Sequence, residues 1–472
     1  MGGLATFGGV IATVARGIAI WIVAALCVVA YSIGSVRRLA IRDRTARLEA
    51  RARQRGALLR WSFSRLGASF IKIGQVMSAR ADLLAPGIIA ELRELQDHVA
   101  PFPFAHARAI VEAELRARIE SRFRRFDPVP VAAGSIAQVH YAVLHDGEEV
   151  AVKILRPGIR ARVRRDARIM LWLAHFAHVV SARARAAQVI AQTRGLIAGL
   201  LAQTDLRREA DNYDLFRTHF AGVHGLAFPR VFRGLSTPTV LTMEFIHGVR
   251  VEHVPERHVA QVTRVLRQTF FAMCFQHGLV HADLHPGNVL VRDDGTVVVI
   301  DVGLVKQLSP TVLDQIVDFA RCLVMGSAAD LVKHLQLHHE YVRPPDWNDV
   351  IGDADAFVAH LRAHSLAELE LSVVVARLFA LARKHRIRPI SDLSLVLLGM
   401  VTIEGMAKRL DPAANTMAEI ARYLGPRIAQ TRRLARGSRE WLPSQLPKLL
   451  PPAPEPLSSA ADPATTTSTE RS

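Results

Sequence analysis

The segment His281-Ala-Asp-Leu-His-Pro-Gly-Asn288, followed by Ile300-Asp301-Val302-Gly303, decides the reading of this chain. Transfer of a phosphoryl group needs a carboxylate to accept the proton of the attacking hydroxyl, and oxygen ligands for the metal that bridges the phosphates. Asp283 and Asn288 stand at the spacing H-x-D-x-x-x-x-N, which supplies a base and one metal ligand; Asp301, ahead of x-Gly, supplies another. Between them, Val289–Val291 and Thr296–Ile300 flank Asp293-Asp294-Gly295. Two apolar runs around a D-G turn predict a β-hairpin, which returns Asp301 to the neighbourhood of Asn288. Two rival readings exist. H-x-D-x-H resembles the ligand cluster of a binuclear metallohydrolase, and a plainer view makes it a polar loop with ordinary hydrogen-bonded histidines. The asparagine and the later aspartate favour phosphoryl transfer.

Upstream residues complete a protein-kinase-like order. Glu148-Glu-Val-Ala-Val-Lys-Ile154 resembles the V-A-I-K strand, whose lysine meets the α- and β-phosphates. It follows a D-G turn at Asp146-Gly147 and a loosely alternating strand, Ile136–Leu144. Before that strand, Ala132, Ala133, Gly134 and Ser135 stand where a kinase has its glycine-rich loop. Glu209, on a helix-forming stretch, is the candidate partner of Lys153, and Thr242-Met-Glu-Phe-Ile246, with Glu244 and Ile246, reads as the hinge that meets the nucleotide. Among 60 Lys and Arg only seven are lysines, and two of those, Lys72 and Lys153, fall at motif positions. The plain reading of Lys153 as a charge guarding a strand edge is weaker in this company.

These residues resemble the UbiB family of atypical kinases. The resemblance rests on Lys72-Ile-Gly-Gln75, like the family's K-x-G-Q; on Ala132-Ala-Gly-Ser-Ile-Ala-Gln-Val-His140, like its alanine-rich loop; on Arg208-Glu-Ala-Asp-Asn212; and on His281–Asn288. It covers roughly residues 58–415 and extends to Glu404-Gly405 and Leu410-Asp-Pro412. It implies a kinase-like fold with an N-terminal helical extension, in which Lys72 and Gln75 cover the active site and obstruct protein substrates. It further implies ATP and Mg²⁺ as cofactors, with Asn288 and Asp301 holding the metal, and a role in ubiquinone or other prenyl-lipid metabolism at membranes. Prenyl-quinone precursors and quinone-biosynthesis enzymes are the implied partners. The chain departs from the family at Gly134, where an alanine is usual, at Gln203-Thr-Asp205 in place of E-x-D, and at Val302 in place of the kinase phenylalanine. Glycine frees φ where alanine restricts it, so Gly134→Ala is expected to alter nucleotide affinity if the loop folds over phosphates.

After Asp301-Val-Gly303 the chain runs through Lys306-Gln307 to Ser309-Pro310, a helix start with Ser as cap and Pro at the first position. No long activation segment and no A-P-E motif intervene, which argues against a conventional protein kinase.

Gly17–Gly34 is an uncharged apolar run with Trp21 and Tyr31, long enough to span a bilayer. Only Arg16 precedes it, whereas Arg37, Arg38, Arg42, Arg44, Arg47, Arg51, Arg53 and Arg55 follow. The positive-inside rule then predicts a single-pass protein of a bacterial inner membrane with its catalytic part in the cytoplasm; a monotopic helix is the alternative. This cluster facing anionic lipid explains the net charge of +17 better than a nucleic-acid partner does, with many of the other arginines read as solvated helix faces. The chain has no recognisable nucleic-acid module, and Cys27, Cys274 and Cys322 lack the spacing of a structural zinc site or a disulfide framework.

The expected fold is α+β and two-lobed, protein-kinase-like, with the helical extension and a membrane-anchor helix. Residues 1–36 form the anchor and 37–126 the basic linker and K-x-G-Q extension. Residues 127–248 form the small lobe with a helical insertion at about 160–215, 249–440 the helical large lobe, and 441–472 a Pro/Ser/Thr/Ala-rich disordered tail. Ser365-x-x-Glu368 predicts the capping box of a large-lobe helix. The functional expectation is a membrane-anchored atypical kinase or ATPase with Asp283 as base. Its rivals are a nucleotide-binding scaffold without turnover and a small-molecule phosphotransferase of the antibiotic-kinase kind.

Overall fold

The computed structural model describes residues 2–38, 40–78, 84–95, 100–180, 189–341, 344–365, 368–417, 420 and 423–425. The expected tail, 441–472, lies outside them. The chain opens with an antiparallel helical pair, α1 (Gly2–Arg38) and α2 (Arg44–Leu66). The carboxylate of Asp43 caps α2 by accepting from the amides of Thr45 at 3.3 Å and Ala46 at 2.9 Å. Gly67, at φ 85°, turns the chain into α3 (Ala68–Ser78), which carries Lys72, and α4 (Pro86–Arg93) follows. Gly74 shows why the K-x-G-Q motif needs its glycine. A side chain there would overlap Leu95 and the Phe63 ring, so α3 could not lie this close to α2.

Next come α5 (Phe104–Leu115), α6 (Ile119–Arg122) and the strands β1 (Phe123–Phe126), β2 (Ala132–Ala133), β3 (Ala137–Leu144) and β4 (Glu149–Leu155). Three helices, α7 (Ile159–Val180), α8 (Val189–Ala202) and α9 (Leu206–His219), separate β4 from β5 (Leu226–Ala227) and β6 (Val240–Glu244). The small-lobe sheet runs β1-β3-β4-β6, antiparallel, with β2 on β3. Period-two alternation assigns its faces. Val150, Val152 and Ile154 are wholly buried against Ala107 and Val111 of α5, which leaves Ala151, Lys153 and Leu155 on the opposite, cleft-facing side.

The large lobe begins with β7 (Val249–Arg250) and α10 (Glu256–Phe275), whose Val262, Leu266, Phe270 and Met273 bury at helical spacing. The strands β8 (Leu279–His281), β9 (Val289–Val291), β10 (Val297–Val299) and β11 (Val305–Gln307) carry the catalytic segment. β9 and β10 form the predicted hairpin, with Gly295 at φ 83° in its turn. The helices α11 (Pro310–Met325), α12 (Ala328–His338), α13 (Trp347–Ala363), α14 (Leu371–Lys384) and α15 (Ser391–Leu410) complete the lobe, with the short pair β12 (Glu340–Tyr341) and β13 (Ile387–Arg388) beside them. Ser309 caps α11 and Pro310 opens it, as expected. The Ser365 box differs from expectation. Glu368 does accept from the Ser365 amide at 2.8 Å, but the helix starts only at Leu371, where Glu404 of α15 accepts from the Leu371 and Ser372 amides. A tertiary carboxylate caps α14 in place of the local box. The whole is a two-lobed, kinase-like α+β fold with an apolar N-terminal helix.

Val14–Arg38 is the one stretch among the described residues long and apolar enough to cross a membrane, with a mean hydropathy of 2.2. It does not stand free. One side packs along α2: the Gln54 amide donates to the carbonyl of Ala30 at 2.9 Å, and Arg51 donates to the Tyr31 hydroxyl at 2.8 Å.

Candidate active site

A cleft of about 480 Å³ lies between the sheet and the large lobe. Lys153 reaches it from the middle of β4, where antiparallel pairing with Val139 on one side and Leu241 on the other fixes its height. Glu209 reaches it from the first turn of α9, which is held by the cap Asp205. The Lys153 ammonium donates to both Glu209 oxygens, at 2.7 and 2.9 Å, and to Asp301 Oδ2 at 2.8 Å. One cation therefore serves two carboxylates. Burial works to raise the Asp301 carboxyl, but Lys153 and the Gly303 amide, 2.9 Å from Oδ1, outweigh it and hold Asp301 well below the usual carboxylate range. Glu209 shows the opposite balance: burial and the charge of Asp301 push it up to about 7 against the pull of Lys153.

The catalytic loop is set by a neutral histidine. His281 is buried, and burial lowers its pKa. Its Nδ1 accepts from the Asp283 amide at 3.2 Å, which leaves Nε2 to donate to the carbonyl of Asp301 at 2.7 Å. The ring thus ties the base-bearing loop to the Asp-x-Gly turn. Asn288 donates its amide to the carbonyl of Asp283 at 2.9 Å, which fixes its side chain beside the loop. Asn288 and Asp301 both line the cleft, and an ionised carboxylate beside an amide oxygen is a hard, all-oxygen donor pair suited to Mg²⁺.

Lys72, at the end of a separation of 211 residues, donates to Asp283 Oδ2 at 2.6 Å. Burial tends to raise Asp283, yet Lys72 lowers it on balance, so this carboxylate is ionised and engaged. Gln203, the departure from E-x-D, lines the same cleft as Lys72. So do Ala132, Ala133, Gly134, Ser135, Glu244 and Ile246. Gln75 is the predicted site residue placed elsewhere. Its amide donates to the carbonyl of Leu95 at 3.2 Å, outside the cleft, because the turn of α3 that bears it is packed towards the end of α4. Gly134 has no left-handed backbone, its amide donates to Ala137 O at 2.8 Å, and a methyl group there would meet Ala137 O at 3.7 Å, an ordinary contact.

Two residues escaped the sequence reading. Asn212, quoted only as part of Arg208–Asn212, donates to the carbonyl of Val302 at 2.7 Å and ties α9 to the Asp-x-Gly turn. Arg292 of the hairpin pairs with Glu244 of the hinge at 2.7 Å. The signal for Asn212 was its place one turn beyond Glu209 on the same helix; nothing local marked Arg292. Elsewhere Asp318, Cys322 and His334 gather within 4.8 Å, a cluster that no sequence spacing of cysteines indicated. Asp318 there already accepts from His334 and Arg321.

The model of the ABC1 atypical kinase-like domain matches residues 94–335, and that of the UbiB helical domain matches residues 354–415. A protein of Azotobacter vinelandii named probable protein kinase UbiB is 34% identical over 375 residues, 76% of this chain and 68% of its own length. One of the same name from Pseudomonas entomophila is 33% identical over 377 residues, covering 76% and 69%. Among solved structures, the complex of Rv3197 with erythromycin from Mycobacterium tuberculosis is 23% identical, covers 72% of this chain and 91% of its own, and has a TM-score of 0.44.

Proposed function

This chain belongs to the UbiB family of atypical kinase-like proteins, and from that premise we propose that it binds Mg-ATP and transfers or hydrolyses the γ-phosphoryl group at a bacterial membrane. The observation that carries the proposal is the Lys153–Glu209–Asp301 constellation facing Asp283 across one cleft. Lys153 would stay paired with Glu209 and release Asp301, turning its ammonium to the phosphates. Asn288 and Asp301 would hold Mg²⁺, which supplies charge neutralisation at the phosphate oxygens. Asp283 would orient the attacking hydroxyl or water and take its proton once Lys72 leaves it. The backbone of residues 132–135 and the hinge at Glu244–Ile246 would enclose the nucleotide.

The direct passage from Asp301 through β11 to α11 leaves no peptide-binding platform, which favours a lipid or small-molecule acceptor, or water. Prenyl-quinone precursors as ligands and quinone-biosynthesis enzymes as partners are the proposal that family membership suggests. The Lys72–Asp283 pair favours one second reading: a nucleotide-binding scaffold for such enzymes, with its base kept engaged. Calorimetric titration with Mg-ATP, ATP turnover, and quinone profiling of a deletion strain separate the two. Asp301→Asn should lower Mg-ATP affinity by tenfold or more, and Asp283→Asn should abolish turnover while binding survives. Equal affinity in wild type and Asp301→Asn would defeat the metal assignment; binding without turnover in the wild type would favour the scaffold.

A further inference from the structure

α1 has two unlike sides. Ile20 and Val23 pack inward, Cys27 Sγ lies 2.9 Å from the Ser62 hydroxyl, and Tyr31 is held by Arg51. Val14, Ile18, Trp21, Ile22, Val29 and Ile33 are exposed on an arc of roughly 120° of the helix. The helix is also fastened just ahead of its apolar run. Arg16 pairs through two nitrogens with Asp166 of α7, at 2.8 and 3.2 Å, and donates to the carbonyl of Leu66. The Asp166 side chain is 1% exposed.

A helix that crossed the bilayer would carry Arg16 to the far side. Asp166 would then keep a buried, uncompensated carboxylate, which proteins strongly disfavour. If α2 followed its partner, the exposed Arg44, Arg47, Arg51, Arg53 and Arg55 would enter hydrocarbon. Against the membrane surface the same features agree: an apolar arc for the acyl boundary, arginines for anionic headgroups, and tryptophan at the interface. α7 adds a second exposed apolar set. Its Trp172 and Phe176 are stacked at 6.0 Å, 57% and 52% exposed, with Val179 and Val180 beyond them.

We infer that α1 lies in the plane of an anionic membrane surface, clamped to α2 and α7, with the α7 aromatics inserted beside it, so that both ends of α1 stay on the cytoplasmic side. The inference rests on the membrane attachment proposed above and specifies its geometry.

Full-length protein carrying one epitope tag before Met1 and another after Ser472 tests it in spheroplasts and in inside-out vesicles. Both tags should be protected from protease in spheroplasts and cut in inside-out vesicles; a first tag cut in spheroplasts means a spanning helix and overturns the in-plane geometry. Sedimentation with phosphatidylethanolamine–phosphatidylglycerol vesicles tests the α7 contact. Trp172→Glu/Phe176→Glu should bind at least about tenfold more weakly, given the apolar area removed, with Mg-ATP affinity unchanged as evidence of folding. Equal binding removes α7 from the surface. Binding to pure phosphatidylcholine as strong as to the anionic vesicles overturns the role of the arginines. A wild type that binds neither vesicle defeats the membrane attachment itself.

Discussion

Gly134→Ala separates what the chain's most unusual loop residue does from what its type suggests. On the sequence alone, a glycine among alanines leaves two readings open: a phosphate loop freed to adopt positive φ, or ordinary β geometry in which Gly and Ala are interchangeable. In the structure, residue 134 is outside the left-handed region, and a Cβ would find Ala137 O at 3.7 Å. The Gly134 amide donates to Ala137 O, and its carbonyl accepts from Arg156 at 2.9 Å; both bonds use backbone atoms that alanine retains. The substitution therefore adds no strain and removes conformational freedom only from the unfolded chain, a gain of about 0.4–1 kcal/mol. In a protein of this size that raises Tm by only about 0.4–1 °C. Mg-ATP affinity should stay within about twofold, since both backbone bonds survive and the Cβ makes only an ordinary contact with the protein. Differential scanning calorimetry and isothermal titration with Mg-ATP and Mg-ADP measure the two effects. A several-fold change in either affinity would refute the reasoning, because it would require the loop to enter positive φ when nucleotide arrives.

Three other outcomes follow from the described geometry. Lys72→Met frees Asp283 from the ammonium that lowers its pKa and leaves burial to raise it, so the acidic limb of the pH–turnover profile should move to higher pH; an unmoved limb would show that the 2.6 Å pair does not govern the base. Gly399 in α15 sits so close to the Phe270 ring of α10 that a methyl group would overlap it; Gly399→Ala should cost about 1–2 kcal/mol in urea denaturation, overpacking less the gain in helix propensity. His339 is held down to about 3 by burial and by His334 and His338. Below pH 6.5 the unfolded chain takes a proton that the folded one refuses, so stability should fall by about 2 kcal/mol between pH 6.5 and 5 from this residue, and His339→Leu should flatten that fall.

What was legible in the sequence was local. The β9–β10 hairpin announced itself by a D-G turn between valines, the Ser309-Pro310 helix start by its cap, and Lys153, Glu209, Asp283, Asn288 and Asp301 by spacings that chemistry imposes. What was not legible depends on which parts of the chain meet. Lys72 was read as a cover, but that it would take the base itself depends on a contact across 211 residues. Gln75, one turn on, was grouped with it by helical spacing, yet the packing of α4 gives its amide to Leu95. The Ser365 box formed one of its hydrogen bonds and still lost the helix to Glu404. The apolar run at 17–34 has the length and hydropathy of a span, while composition gives no sign of the Arg16–Asp166 pair at its start, a contact across 150 residues.

That Arg16–Asp166 pair also orders events during synthesis. The two residues are 150 apart, so at 5–20 residues per second α1 has left the ribosome roughly 8–30 s before α7 exists to hold it. During that interval α2, which emerges immediately after, is the first element able to cover one side of α1. Under the membrane attachment proposed above, hairpin closure with α2 would compete during that interval with insertion across the bilayer. Weakening the α1–α2 seam would send more copies across the membrane without changing a single residue of the apolar run.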